Sequence, residues 1–262
     1  MTCLQGDMNK KHLPISVLAK ALFRGFFIQA AWNFDNFQGV GFVYALVPLL
    51  RQSEFSEEEI KSLVKRHLSC FNTNPYFAGM ILGGTMRMEE ERIQGRVTAE
   101  QIETFKNDLT GALGALGDSF TWGALRPLAG LAGVLAAMIY ETSAPLVFLA
   151  VYNMGVFWIR GAGFWNGYAC GPDLLTYLSN IKLQKKIYWM NGMILFAVGA
   201  FLPLWIMQAV PAVGFTYLGL FLFMVLLVWT GLKAEQKGVP LLVQGVVLLI
   251  LSQGLSHMGW MI

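Results

Sequence analysis

Apolar positions come in short runs through the first hundred residues and in long runs afterwards, and the two textures predict different elements. Leu18, Leu22 and Phe26 recur at helical spacing with Lys20 and Arg24 between them, the pattern of a basic amphipathic helix lying on the anionic, cytoplasmic face of a membrane. Ser56 followed by Glu59 spells a capping box, and Ile60, Leu63, Val64, Leu68 and Phe71 then trace one apolar face of a second helix, too polar to span. The apolar run at 76–86 has 11 residues, roughly 16 Å as a helix and about half of a bilayer's hydrocarbon thickness. Amides at Asn72 and Asn74 stand at its entrance, and Glu89, Glu90 and Glu91 follow as a solvated helix end. It reads as a short re-entrant segment. Thr98 with Gln101 marks a third helix start ahead of Ile102 and Phe105.

Four later segments are candidates for spans: residues 144–159, which is marginal and ends at Arg160, and residues 187–210, 212–231 and 239–262. Lys182, Lys185 and Lys186 precede the second, and Lys233 and Lys237 join the third to the fourth, so those loops are expected on the cytoplasmic side. Residues 109–140 are apolar enough for a bilayer but hold Asp118, Arg126 and Pro127 in their interior. Pro removes a helix hydrogen bond and the charges resist lipid, which predicts two shorter pieces or a re-entrant hairpin buried in protein. The expected fold is an all-α membrane protein. It has amphipathic cytoplasmic-face helices in the N-terminal part (1–108), then a membrane-embedded region (109–262) with re-entrant or broken helices followed by about four transmembrane helices.

Composition agrees with a membrane protein: of 262 residues 55% are hydrophobic and 13% charged, with a mean hydropathy of +0.52. The net charge of +3 is spread out, with no basic block interleaved with aromatics, so no nucleic-acid partner is expected. Cys3, Cys70 and Cys170 are far apart and odd in number, which argues against a disulfide framework and a zinc site. His12, His67 and His257 are isolated, and no nucleophile or paired-carboxylate arrangement stands out. Neither a metal, a cofactor nor a self-contained catalytic site is expected. The N-terminus lacks the apolar core and small-residue cleavage site of a secretory signal, so entry into the membrane is expected through internal segments.

The remaining chemistry is polar and sparse. Asp118 is a functional candidate because it is ionisable within an apolar segment, and a structural ion pair with Arg126, eight residues on, is the competing reading. Gly111, Gly114 and Gly117 permit close helix approach. Gln29, Asn33 and Asp35 form one polar group, Asn72 and Asn74 another, and Trp32 offers a flat apolar face. Amides that donate and accept, beside an aromatic face, suit a neutral polyhydroxylated ligand; capping and interhelical bonding would use the same residues.

Three stretches, QAAWNFDNFQGVGFVYALVPLL, RHLSCFNTNPYFAGMILGGTMRMEEE and GALGALGDSFTWGALRPL, resemble in order and separation the signature blocks of the IID subunit of mannose/fructose/sorbose-type phosphotransferase-system (PTS) permeases. With residues 160–167 and the last two hydrophobic segments, the similarity covers most of the chain from about Leu18. It implies a non-catalytic, multi-pass subunit of the bacterial inner membrane. Such a subunit pairs with IIC as an oligomer of IIC–IID heterodimers among membrane lipid, and passes a hexose-class sugar to IIB, which IIA phosphorylates. The alternative is a degenerate scaffold or sensor that binds partners without transport. Carried over by motif, Gln29, Asn33, Asn72, Asn74 and Asp118 are candidates for the sugar path, and Trp32, Gly114, Gly117 and Arg126 for structural or interface roles. The chain departs from the family pattern at Asn74, where His is usual, at Thr121, where Phe is usual before Trp122, and in a shortened connection at Val210 and Pro211.

Overall fold

A computed structural model describes residues 12–52 and 55–209; the expected spans at 212–231 and 239–262, with Lys233, Lys237, His257 and Cys3, lie outside the described residues. Nine α-helices occur among the described residues: α1 (Ile15–Gly25), α2 (Gly39–Gln52), α3 (Glu57–His67), α4 (Ala78–Ile93), α5 (Ala99–Phe120), α6 (Arg126–Ala137), α7 (Ala144–Cys170), α8 (Leu174–Ile181) and α9 (Leu183–Ala209). The chain up to Ile194 forms one compact unit. Both expected capping boxes form. The Ser56 hydroxyl accepts from the Glu59 amide while Glu59 reaches back to Ser56, and Thr98 and Gln101 do the same for α5.

Among the described residues, two stretches are long and apolar enough to cross a membrane, Ala99–Ala137 and Ala144–Gly199. The first corrects the expected break at Pro127. A π-helical turn, Thr121–Leu125, joins α5 to α6, and the Arg126 amide bonds back five residues to the Thr121 carbonyl. Widening the helix by one residue accommodates a proline beside the turn without a hairpin. Nor does Arg160 end a span: α7 runs on to Cys170. The Arg160 guanidinium is satisfied inside the protein, donating to the Gly25 carbonyl at the C-terminus of α1 (3.4 Å) and lying over the rings of Phe26 and Tyr76. Cys170 is disulfide-bonded, contrary to the spacing argument, which detects repeated frameworks and misses a single bridge.

At the centre is α4, buried along residues 78–90 except at Gly79. Gly79 and Gly83 on α4 lie against Arg160, Phe164 and Tyr168 of α7, while Gly163 and Gly167 on α7 lie against Met80 of α4. A Cβ at Gly83 would overlap the Phe164 carbonyl, and one at Gly167 the Met80 carbonyl. The helices are therefore in backbone contact, and α4 has no lipid-facing side along this stretch. Residues 78–86 of the 11-residue run are the first part of a 16-residue helix that continues through the charges.

Glu89 and Glu90 are buried and Glu91 is partly buried, which corrects the expectation of a solvated end. Glu89 is 0% exposed and accepts from Arg66 Nη2 (2.7 Å), Arg92 Nε (2.7 Å) and His67 Nε2 (2.9 Å). Burial works against this carboxylate, yet its interaction with His67, the bond from Arg92 and the charge of Arg66 hold its pKa down to about 2. His67, equally buried, has its pKa lowered by that burial. It is therefore neutral at pH 7 and serves Glu89 through an N–H rather than a charge, leaving Nδ1 without a partner among the described residues. Glu90 takes bonds from Arg87 Nη1 (3.1 Å) and the Tyr168 hydroxyl (2.8 Å). Arg66 and His67 end α3 while Glu89 lies on α4, 23 and 22 residues away in sequence, so no local pattern joins them.

Candidate functional site

The amide loop at 71–74 is fixed from three sides. Phe37 pairs with Phe71 in a short parallel bridge, the Gln38 amide donating to the Phe71 carbonyl (2.8 Å). The buried Gln38 side chain clasps Thr73, donating through Nε2 to its carbonyl (2.8 Å) and accepting its amide at Oε1 (3.2 Å). Lys106 of α5, 1% exposed, donates to the His67 carbonyl and the Ser69 hydroxyl, both at 3.2 Å, with its ammonium over the Phe42 and Phe71 rings. A polar loop held this way presents side chains in fixed positions.

Asn74 then turns the chain into α4. Its Oδ1 accepts the Tyr76 amide (3.0 Å), which leaves Nδ2 to donate to Asp118 Oδ1 on α5 (2.8 Å). Gly117 makes this approach possible, since a Cβ there would lie 2.7 Å from Asn74 Cγ and 2.9 Å from Phe77 Cδ2. One turn on, Trp122 Nε1 donates to the same Asp118 oxygen (3.2 Å). Asp118 thus pairs with two neutral donors. Arg126 lies over the Trp122 ring at 6.0 Å, and no ion pair between Arg126 and Asp118 occurs among the described residues.

A cavity of about 350 Å³ opens between these elements, lined by Gln29, Gln38, Asn72, Thr73, Asn74, Pro75, Tyr76, Gly114, Asp118 and Trp122, at the small end of the roughly 300–1,000 Å³ of small-molecule sites. Gln29 and Asn72 are exposed, and their side chains make no hydrogen bond among the described residues. Two free amides therefore face a fixed Asn74 and Asp118 pair. The set offers donors and acceptors with a single charge, matching the hydroxyls of a neutral ligand. A larger groove of about 680 Å³ between α5 and α8–α9 is lined mainly by Ala, Leu and Ile with Lys182 at one end, and lacks such convergence.

Four of the five polar candidates, Gln29, Asn72, Asn74 and Asp118, line the cavity, with Gly114 in its wall. Asn33 does not. Its Oδ1 accepts the amides of Asp35 and Asn36 at 3.0 Å each, and its Nδ2 donates to Asn36 Oδ1 at 2.9 Å, closing the turn before Phe37. Trp32 packs edge-on against Phe34 and Phe37, away from the cavity lining. Gly111 meets nothing within 4 Å, whereas Gly114 and Gly117 face Thr73 and Asn74. Sequence reasoning missed Gln38, Tyr76 and Trp122. The last had a signal, since a residue four after Asp118 shares its helix face.

Described residues whose regular elements are all helical, with two apolar stretches among them able to span a bilayer and a small amide-lined cavity beside one of these, have the makeup of a helical membrane protein. Comparison with known proteins gives the family. The chain belongs to the PTS system mannose/fructose/sorbose family IID components, whose sequence profile matches residues 12–217. It is 32% identical over 207 residues to the mannose-specific EIID component of Escherichia coli K12, covering 78% of this chain and 73% of that one. It is 28% identical to the sorbose-specific EIID component of Klebsiella pneumoniae, covering 79% and 76%. A chain from the cryo-EM structure of the mannose transporter ManYZ bound to a microcin superposes with a TM-score of 0.58 at 28% identity, over 95% of this chain and 98% of that one.

Proposed function

We propose that this chain is the membrane-embedded IID subunit of a mannose-type PTS permease in the bacterial inner membrane. It forms with a IIC subunit the path by which a hexose-class sugar reaches phosphorylation by IIB. The observation that carries this reading is the cavity in which the free amides of Gln29 and Asn72 face Asn74 and Asp118. Family membership and the likeness to a chain of a mannose-transporter complex support it. In this reading the amides exchange water for sugar hydroxyls, and Asp118, with one oxygen occupied by Asn74 and Trp122, offers its other oxygen as a strong acceptor.

The test is phosphoenolpyruvate-dependent uptake of labelled mannose, fructose, sorbose and amino sugars by cells that express this chain with its IIC, IIB and IIA partners. Uptake of at least one is expected. No uptake of any, with the IIC–IID complex assembled, refutes the reading in favour of a scaffold or sensor.

A further inference from the structure

We infer that Trp122 is the stacking platform of the cavity and a determinant of which sugar it accepts; this rests on the permease reading above. Three independent features place the indole there. The helix leaves α-geometry only across Thr121–Leu125, and π turns re-aim the residues they carry and recur at functional sites. Trp122 is the second residue of that turn. Its cost is visible next door, where the Thr121 hydroxyl is buried with no partner among the described residues.

The indole is also oriented. Nε1 is tied to Asp118 Oδ1 at 3.2 Å, the Arg126 guanidinium lies 6.0 Å from the ring, and the Tyr76 ring stands 6.0 Å away at 59°. Tyr76 is itself held, accepting from the Tyr152 hydroxyl (3.2 Å) with Arg160 over its ring at 5.0 Å. Two aromatic planes at an angle make a fixed corner.

Finally, the indole is available: Trp122 is 44% exposed while lining the cavity. A pyranose presents apolar C–H faces and a polar rim. The aromatic corner fits the first, and Gln29, Asn72 and Asp118 fit the second. Because Asp118 anchors both Asn74 and Trp122, the platform and the polar rim keep one spacing, which selects among sugars by which hydroxyls are axial.

The experiment compares Trp122→Leu and Trp122→Tyr with wild type in the assembled complex, measuring KM and maximal uptake for each transported sugar. Trp122→Leu is expected to raise KM roughly 3- to 10-fold at similar maximal uptake and to change the ratio of KM values between sugars, while Trp122→Tyr stays within about 3-fold of wild type. An unchanged KM in Trp122→Leu, or equal losses in both variants, overturns the inference. Should Trp122→Leu fail to assemble, 19F spectra of 5-fluorotryptophan-labelled complex decide. The resonance that disappears in Trp122→Phe shifts on sugar saturation if Trp122 stacks, and its constancy overturns the inference. Absence of uptake by the wild-type complex overturns the permease reading, and this inference with it.

Discussion

Replacing Glu89 with Gln tests whether the buried charges hold the helices together. The carboxylate is 0% exposed and receives bonds from Arg66, Arg92 and His67. Gln keeps one acceptor oxygen but turns an amide donor toward these donors and leaves two guanidiniums without a counter-charge. Holding this carboxyl from its ordinary 4.5 down to about 2 corresponds to about 3 kcal/mol. Breaking a buried pair by removing one partner costs about 3–5 kcal/mol, in agreement. At about 2–4 °C per kcal/mol for a chain of this size, Glu89→Gln should lower the thermal midpoint in detergent by roughly 10 °C at pH 7. A depressed carboxyl pKa gives stability that is complete above about 4.5 and lost as pH falls from there toward 2. The difference between wild type and variant should therefore shrink across that window. A midpoint shift below about 2 °C at pH 7, or a difference that persists unchanged at pH 3, would refute the reasoning.

Other outcomes follow from the same contacts. Gly83→Ala places a Cβ against the Phe164 carbonyl and 2.8 Å from the Tyr168 nitrogen, which should cost about 1–3 kcal/mol in thermal or denaturant unfolding. Gly111→Ala, with nothing within 4 Å, should instead be neutral or stabilising by up to about 1 kcal/mol. His67 is held neutral by burial, so the unfolded chain gains its proton first as pH falls below about 6.5 and wild-type stability declines there; midpoints of His67→Gln measured between pH 7.5 and 5.5 should lack that part of the slope. Ser56→Ala removes the capping bonds to Glu59 and should lower stability by about 1 kcal/mol.

Local signals in the sequence survived because their physics is local. The capping boxes at Ser56 and Thr98 start α3 and α5, and the start of the marginal span at residue 144 is the first residue of α7. The candidate amides were legible as a chemical type, and four of five polar candidates reach one cavity. Asn33 could not be separated from them, since turn closure and ligand binding call for the same side chain. Polar residues near a helix end read as solvated, so the burial of Glu89 and Glu90, which depends on Arg66 and Tyr168 from other helices, was invisible. The same holds for Gln38, whose partner Thr73 is 35 residues away. The close glycine seam was sought at Gly111, Gly114 and Gly117, but its tightest part joins α4 to α7, where Gly83 meets the Phe164 carbonyl and Gly167 the Met80 carbonyl.

The reading of the cavity as part of a sugar path is tested most directly by phosphoenolpyruvate-dependent uptake through the complete permease carrying Asp118→Asn. The carbonyl of Asn can still accept from Asn74 and Trp122, which preserves the local bonds. The charge and the second acceptor oxygen are lost, and a hydrogen bond to a charged group contributes about 1.5–3 kcal/mol. Roughly 10- to 100-fold lower uptake efficiency is expected, with the IIC–IID complex recovered at wild-type levels. Wild-type uptake in an assembled Asp118→Asn complex would contradict a role for this cavity in sugar passage.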